Sequence, residues 1–365
     1  MAEDILRVGL IGATPGSSWG ARGHAPAYQV AAGVRLAAVC TAHADTAAAA
    51  AEAFNAEERY TDYHDLVRSP NVDIVSIATG IHTHYPMVST ALEAGKHVYS
   101  EWPLAVDSGA AQELLQLANA KGVHHIVGLQ SRFAPALLLV REMLQEGYIG
   151  QALIFHLQIL LSTALLPRPS ARMHLARKEA GSNTLTNPGG HSLEAMCWLL
   201  GEIETLSAQV STQVTEWTAA ETAERVAATA PDNVGILVRL RSGVVGTVQL
   251  SNTAVDGGAF RLEMYGTEGK LVLTADGMLG NALFRLFAAR KGECERELSV
   301  PERFISVTGL PLGSPAYNVA RLFECFAAAI RTGQKLGPSF ADAVRVHQLL
   351  EAIDRSSTTR SWVAF

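Results

Sequence analysis

VGLIGATPGSSWGARGHAPAY, residues 8–28, begins as an apolar run, breaks at a glycine and then becomes helix-like. Val8 to Ile11 reads as a short buried strand, Gly12 ends it, and a helix is expected from near Gly23 or His24. A strand, a tight glycine turn and a helix start bring backbone N–H groups and the positive end of a helix to one point, which suits a pyrophosphate. The fit to Gly-x-Gly-x-x-Gly is partial. Gly12, Gly16 and Gly20 stand four apart, Thr14 takes the place of the second glycine, and the turn is lengthened. Gly12, Ala13, Thr14 and Trp19 are the candidate contacts of this turn. Taken alone, a purely structural glycine loop is an equal reading.

The surrounding chain decides between them. From residue 5 to about 128, apolar runs such as VRLAAVCT, VDIVSIAT, KHVYSEWP and VHHIVGLQ alternate with helical stretches such as HAPAYQVAA, ADTAAAAAEAF, YPMVSTALEAG and SGAAQELLQLANAKG. That alternation builds a parallel sheet with helices on both faces, so residues 1–128 are expected to form a doubly wound Rossmann domain. After residue 150 the period becomes two, in ALIFHLQILL, ETLSAQVSTQV, NVGILVRLRS, VVGTVQLSNT, FRLEMYG and GKLVLTAD, with a hairpin turn near 242. Residues 129–365 therefore read as an α+β domain with a large open, mostly antiparallel sheet. Two helices return near the end, AYNVARLFECFAAAIRTG and SFADAVRVHQLLEAIDRS, the second capped by Ser339 with Asp342 at its start. These C-terminal helices are candidates to pack back on the first domain.

The whole chain bounds the function. Its 365 residues favour two domains, and 48% hydrophobic with 18% charged residues suits well-buried cores rather than disorder. A net charge of -6 without basic blocks offers nothing to nucleic acid or anionic membrane. Four scattered cysteines, with no CxxC pair, read as free thiols in a reducing compartment. Glu3 and Asp4 ahead of the first apolar run are the wrong order for a signal peptide, and no run reaches membrane-span length; a cytoplasmic protein is expected. No cluster has metal-ligand spacing, so no metal is expected.

The second strand ends in AVCTAHAD, where a site for unphosphorylated cofactor usually carries Asp or Glu for the ribose 2′-OH. Here stand Thr41 and His43. They leave room for a 2′-phosphate without an arginine clamp, which favours NADP and leaves NAD open. Thr41 also reads as an N-cap of the next helix.

These residues, together with DYHDLVRSPNVDIVSIAT, THYPMVSTALEAGKHVYSE, RFAPALLLVREMLQEGYIGQ, GGHSLEAMCWLLG, EMYGTEGKLVL and PSFADAVRVHQLLEAI, resemble the glucose-fructose oxidoreductase and inositol dehydrogenase family, Gfo/Idh/MocA, over nearly the whole chain. The resemblance implies a Rossmann domain followed by an open-sheet domain, and hydride transfer between a nicotinamide cofactor and a sugar, polyol or related hydroxy compound. It places Thr79, His84, Glu101 and Gln130 beside the cofactor. It implies a dimer or tetramer formed through a sheet face read here as apolar, and a cis bond before Pro103.

Two positions depart from the family. Its Glu-Lys-Pro motif, whose lysine sits at the reacting carbon, is here Glu101-Trp102-Pro103, and the first aspartate of its second motif is here Asn187, with His191 kept and Glu194 at the second aspartate. Trp102 cannot accept a proton and Asn187 is no base near neutrality. His191, with an ordinary pKa of about 6.5, is left as the acid/base candidate, with Asn187 and Gln130 as orienting groups and Trp102 as a stacking wall. The alternative follows the family's non-catalytic branch, that of the fungal galactose-regulon repressor, which has Glu-Trp at this place, a similar long turn with a tryptophan like Trp19, and a like Gly-His pair: a cofactor-binding sensor without turnover. Of the remaining groups, His82 reads as a loop residue, and the basic segment 165–183, with Arg168, Arg172, His174, Arg177 and Lys178, as a solvated loop, an anionic substrate being its sharper reading.

Overall fold

A computed structural model describes residues 5–16, 18–280 and 282–365. Glu3 and Asp4, used above against a signal peptide, lie outside the described residues. The chain divides into two compact units, Met1–Phe133 with Ser306–Arg345, and Ala134–Ile305 with Val346–Phe365.

The first unit runs β1 (Leu6–Ile11), a wide helical turn (Gly20–His24) continuing into α1 (Ala25–Val30), β2 (Val34–Cys40), α2 (Ala44–Phe54), β3 (Glu58–Tyr60), α3 (Tyr63–Arg68), β4 (Ile74–Ile77), α4 (Ile81–Glu93), β5 (His97–Ser100), α5 (Ser108–Lys121) and β6 (His125–Val127). The six strands are parallel in the order β3-β2-β1-β4-β5-β6. Val8, Leu10, Val39, Ile74, Val75, Ile77 and Val98 are fully buried, because helices cover both faces of a parallel sheet and the strands must be apolar on both sides. The order reverses between β1 and β4, where such sheets open a crevice at their carboxyl ends.

Three local expectations change. The residue capping α2 is His43, since the Thr41 hydroxyl turns instead to the His43 carbonyl at 3.2 Å and the Thr46 hydroxyl at 2.7 Å. His82 lies in the first turn of α4, which starts one residue after Gly80 and so takes up the expected loop. The edge strand β3 and the six-residue α3 were too short to show a period, although Asp62 marks the helix start by accepting the His64 N–H at 2.9 Å.

The second unit contains α6 (Pro135–Gln145), β7 (Ala152–Leu160), α7 (Gly190–Leu200), β8 (Ile203–Ser211), β9 (Glu216–Thr218), β10 (Arg225–Ala227), β11 (Asn233–Leu240), β12 (Val245–Ser251), β13 (Ala259–Gly266), β14 (Gly269–Ala275), β15 (Phe284–Arg290), β16 (Arg296–Leu298) and β17 (Val363–Ala364). Nine strands form one sheet in the order β16-β15-β14-β13-β7-β12-β11-β8-β17, with β7 and β12 parallel and the other neighbours antiparallel. The β11–β12 hairpin turns at Gly243, whose φ of 89° favours glycine. One face buries Phe155, Leu157, Ile159, Val248, Leu250, Phe260, Leu262 and Met264. The other is more polar than expected: Ile154 lies between Val245 and Tyr265, and Leu237 is exposed, but His156, Gln158, Thr247, Gln249 and Glu263 share that face.

Two long helices follow. α8 (Tyr317–Thr332) belongs to the first unit, where fully buried Phe323 meets Tyr28 and Tyr99 with ring centroids 4.6 and 5.0 Å apart. α9 (Phe340–Thr359) starts in the first unit and ends in the second. At its start Asp342 accepts the Ser339 N–H at 2.7 Å and its hydroxyl at 2.8 Å, and pairs with Arg132 at 2.9 Å. The four cysteines are free thiols, and no helix among the described residues is long and apolar enough to cross a membrane.

Candidate active site

The candidate residues of the first unit gather just beyond the carboxyl ends of its parallel strands. Gly12 follows β1, Thr41 follows β2, Thr79 lies two residues past β4, Glu101 follows β5 and Gln130 comes three residues past β6. Gly12 has φ +96°, and a Cβ there would stand 2.7 Å from the Ala78 carbonyl oxygen, so conformation and space both demand glycine. A Cβ on Gly20 would stand 2.7 Å from the Gly12 carbonyl oxygen. The long turn thus folds back on its own start, giving the close strand–helix approach that the third glycine of the shorter motif provides. Within it Ala13 is buried and Thr14 exposed; His43 is exposed beyond β2 and Thr41 buried.

Glu101 is the electrostatic centre of this unit. Its Oε1 accepts the Trp19 indole N–H at 2.7 Å and the Tyr99 hydroxyl at 2.7 Å, and lies 2.6 Å from His24 Nε2. Burial alone would raise the Glu101 carboxyl, but the bond and charge of His24, then Tyr99 and Trp19, outweigh it and hold the group below the usual carboxylate range. The chain of bonds continues from His24 Nδ1 to the Tyr28 hydroxyl at 2.8 Å, which donates to Ser76 on β4 at 2.7 Å. Burial, reinforced by the charge of Glu101, raises the Tyr99 phenol well above its ordinary value. Sequence reasoning singled out Glu101 and Trp19 but took His24 only as a helix start. Its partners are distant in the chain, and a lone histidine carries no sign of them.

The Trp102–Pro103 bond is cis, and Trp102 is 5% exposed. His84 braces this turn: its Nδ1 lies 2.7 Å from the Pro103 carbonyl and its Nε2 3.1 Å from the Thr79 carbonyl. Burial lowers its pKa more than the two carbonyls raise it, and the ring spans the segments after β4 and β5. Thr79 accepts a hydrogen bond from the Thr83 hydroxyl at 2.7 Å. Gln130 and Ser131 are buried, and Gln130 Oε1 has no hydrogen-bond partner among the described residues.

Asn187 and His191 belong to the second unit. A wide helical turn, Leu185–Gly189, carries Asn187 and runs directly into α7, so His191 sits inside the first turn of the helix rather than ahead of it. Glu194 follows one turn later on the same side. Three residues that sequence reasoning passed over hold this turn. Asn183 Oδ1 accepts the N–H groups of Leu185 and Thr186 at 3.0 and 3.2 Å, and Thr184 Oγ1 accepts the Asn252 amide at 2.7 Å. Asn183 was legible as a cap by its residue type and place; Asn252, on a distant strand end, was not. A Cβ on Gly189 would stand 2.8 Å from Leu250 Cδ1, which seats the turn on β12.

Arg172, His174, Arg177 and Lys178 of the basic segment are exposed, as expected of a solvated loop, while Arg168 is half-buried. The segment forms short 3-10 turns, the Arg168 guanidinium lies 3.6 Å over the Trp217 ring, and Lys178 pairs with Asp354 at 2.7 Å.

Residues 6–129 match the model of an oxidoreductase family with an NAD-binding Rossmann fold, and residues 137–272 match the GFO/IDH/MocA C-terminal domain. The levoglucosan dehydrogenase of Pseudarthrobacter phenanthrenivorans is 27% identical across 89% of this chain and 88% of its own. A structure of levoglucosan dehydrogenase with NADH and levoglucosan superposes with a TM-score of 0.86 at 26% identity, covering 98% of each chain. A super-repressor mutant of Gal80p from Saccharomyces cerevisiae reaches a TM-score of 0.88 at 20% identity over 99% of this chain and 98% of its own, a likeness of fold alone. With both of its domain models matched in order over more than half of its length, the chain belongs to the Gfo/Idh/MocA family of oxidoreductases.

Proposed function

We propose that this oxidoreductase transfers hydride between a nicotinamide cofactor and a sugar, polyol or related hydroxy compound. The observation that carries the reading is the assembly of Gly12, Thr41, Thr79 and Glu101 at the carboxyl ends of β1, β2, β4 and β5, around the point where the strand order reverses. The residues present fit a dinucleotide: Gly12 and Gly20 leave no room for a side chain in the turn, and its backbone offers N–H groups for phosphate. A bound nicotinamide supplies the hydride chemistry.

In this reading the division of labour is by sequence, with 1–128 for cofactor and 129–365 for substrate and assembly. Gly12, Ala13 and Thr14 hold the pyrophosphate, while Thr41 and His43 face the adenine-side ribose. Neither Thr41 nor His43 is a carboxylate that would repel a 2′-phosphate, which favours NADP; NADH in the related levoglucosan dehydrogenase structure favours NAD. Thr79, His84 and Glu101 shape the nicotinamide end. His191 moves the hydroxyl proton, Asn187 and Gln130 orient the substrate oxygen, and Trp102 is a flat wall where the family has its lysine. The proton-accepting work that lysine would share falls on His191 alone.

The test is cofactor reduction followed by absorbance across a panel of sugars, anhydrosugars and polyols with NAD and NADP separately. Turnover with at least one is expected. Tight cofactor binding with no turnover on any would move the protein to the second reading, a cofactor-binding sensor, which the loss of the lysine at Trp102 favours.

A further inference from the structure

The described residues between Gly12 and Gly20 form a long turn. The Ser18 hydroxyl donates to the Thr14 carbonyl at 2.6 Å and accepts the Ala21 N–H at 3.1 Å, both local bonds. Among the described residues, the hydrogen bond from Trp19 to Glu101 is the one that ties this segment to a distant part of the chain. The carboxylate that receives it is itself pinned. His24, wholly buried, approaches the same oxygen, and through Tyr28 it is anchored to Ser76 on β4, while Tyr99 anchors the oxygen to β5. The Trp19 ring also needs Gly23, where a Cβ would stand 3.0 Å from its Cε2 and Cζ2 atoms. The next residue after Glu101 is Trp102. One carboxylate oxygen therefore fixes the Trp19 ring and sits one residue from the Trp102 wall.

We propose that Gly23, His24 and Glu101 are positioning residues for the cofactor, setting the Trp19 ring and the turn from Gly12 to Gly20 before the dinucleotide arrives. The proposal rests on the cofactor reading given above. None of the three residues needs to touch the cofactor. Glu101 is committed to Trp19, Tyr99 and His24, and His24 has no exposed surface. Their effect is to pre-order a glycine-containing turn whose phosphate-facing N–H groups would otherwise be ordered at the expense of binding.

The experiment is calorimetric titration of the full-length protein with NADH and NADPH, beside steady-state kinetics, for Trp19→Phe, Gly23→Ala, His24→Gln and Glu101→Gln. Trp19→Phe keeps an aromatic ring but removes the N–H donor with the second ring, and Gly23→Ala crowds the Trp19 ring while leaving His24 and Tyr99 on Glu101. Cofactor affinity is expected to fall about tenfold in each, the size of one lost charge-assisted hydrogen bond. The rate at saturating cofactor should change less than about twofold for Gly23→Ala, so the loss appears in KM for cofactor and not in kcat. Variants that melt at lower temperature yet bind cofactor as wild type does would overturn the inference and leave the cofactor reading standing. A wild-type protein that binds neither nucleotide would sink both.

Discussion

His191 is the residue on which the proposed proton transfer depends, because neither Trp102 nor Asn187 can accept a proton at neutral pH. It sits in the first turn of α7, held from below by a turn that Asn183, Thr184 and Asn252 tie down. Replacing it with glutamine keeps size and hydrogen bonding but removes the base. His191→Gln is expected to lower kcat by about 10²-fold to 10⁴-fold while the dissociation constant for NADH stays put; an unchanged kcat would take His191 out of the chemistry. At this scale the sequence was informative where a residue departs from the family motif, as at Trp102, and silent where a role depends on company. His24 looks ordinary until Tyr28, Ser76, Tyr99 and Glu101 are brought around it, and those contacts span separate strands and a helix.

The paired ends of β5 and β6 carry a cost in acid. Burial, then the charge of His124, pushes the His125 imidazole down to about 4, with Asp342 raising it and Lys335 lowering it more weakly. His97 and His124 are lowered by burial as well. Above an unfolded value of about 6.5 both states are neutral and nothing is lost. As pH falls below it, the unfolded chain takes up a proton that native His125 does not. Stability therefore drains away between about pH 6.5 and about 4, by an amount on the order of 3 kcal/mol for this group. Urea midpoints measured from pH 7 to pH 4.5 should fall, and fall less steeply in His125→Gln; parallel declines in the two proteins would refute the assignment. The helices and strands of both units were legible where the period ran long enough, as in β7, β11 to β14, α8 and α9. Short elements such as β3 and α3, and the precise start of α4, were not, because three to six residues do not establish a period.

For the whole molecule, the order of elements carried the two-unit architecture, since alternating strands and helices followed by period-two runs have few ways to pack. What the order could not convey was how polar the open face of the nine-stranded sheet is, because side chains of adjacent strands meet there only after pairing. The proposed homo-oligomer accordingly rests on a smaller apolar patch, Ile154 with Val245 and Tyr265, and Leu237 on β11. Light scattering should report a dimer or larger, and Ile154→Asp with Leu237→Asp should shift it toward monomer without altering the fold seen by circular dichroism; a wild-type monomer at all concentrations would exclude it. A different consequence follows from α8. The parallel sheet is complete at Val127, but Phe323, which closes over Tyr28 and Tyr99, is made much later. At ordinary translation rates of about 5 to 20 residues per second, that interval lasts roughly 10 to 40 s. During synthesis the first unit must therefore wait, with an aromatic flank uncovered, for a helix that the chain delivers only after β16.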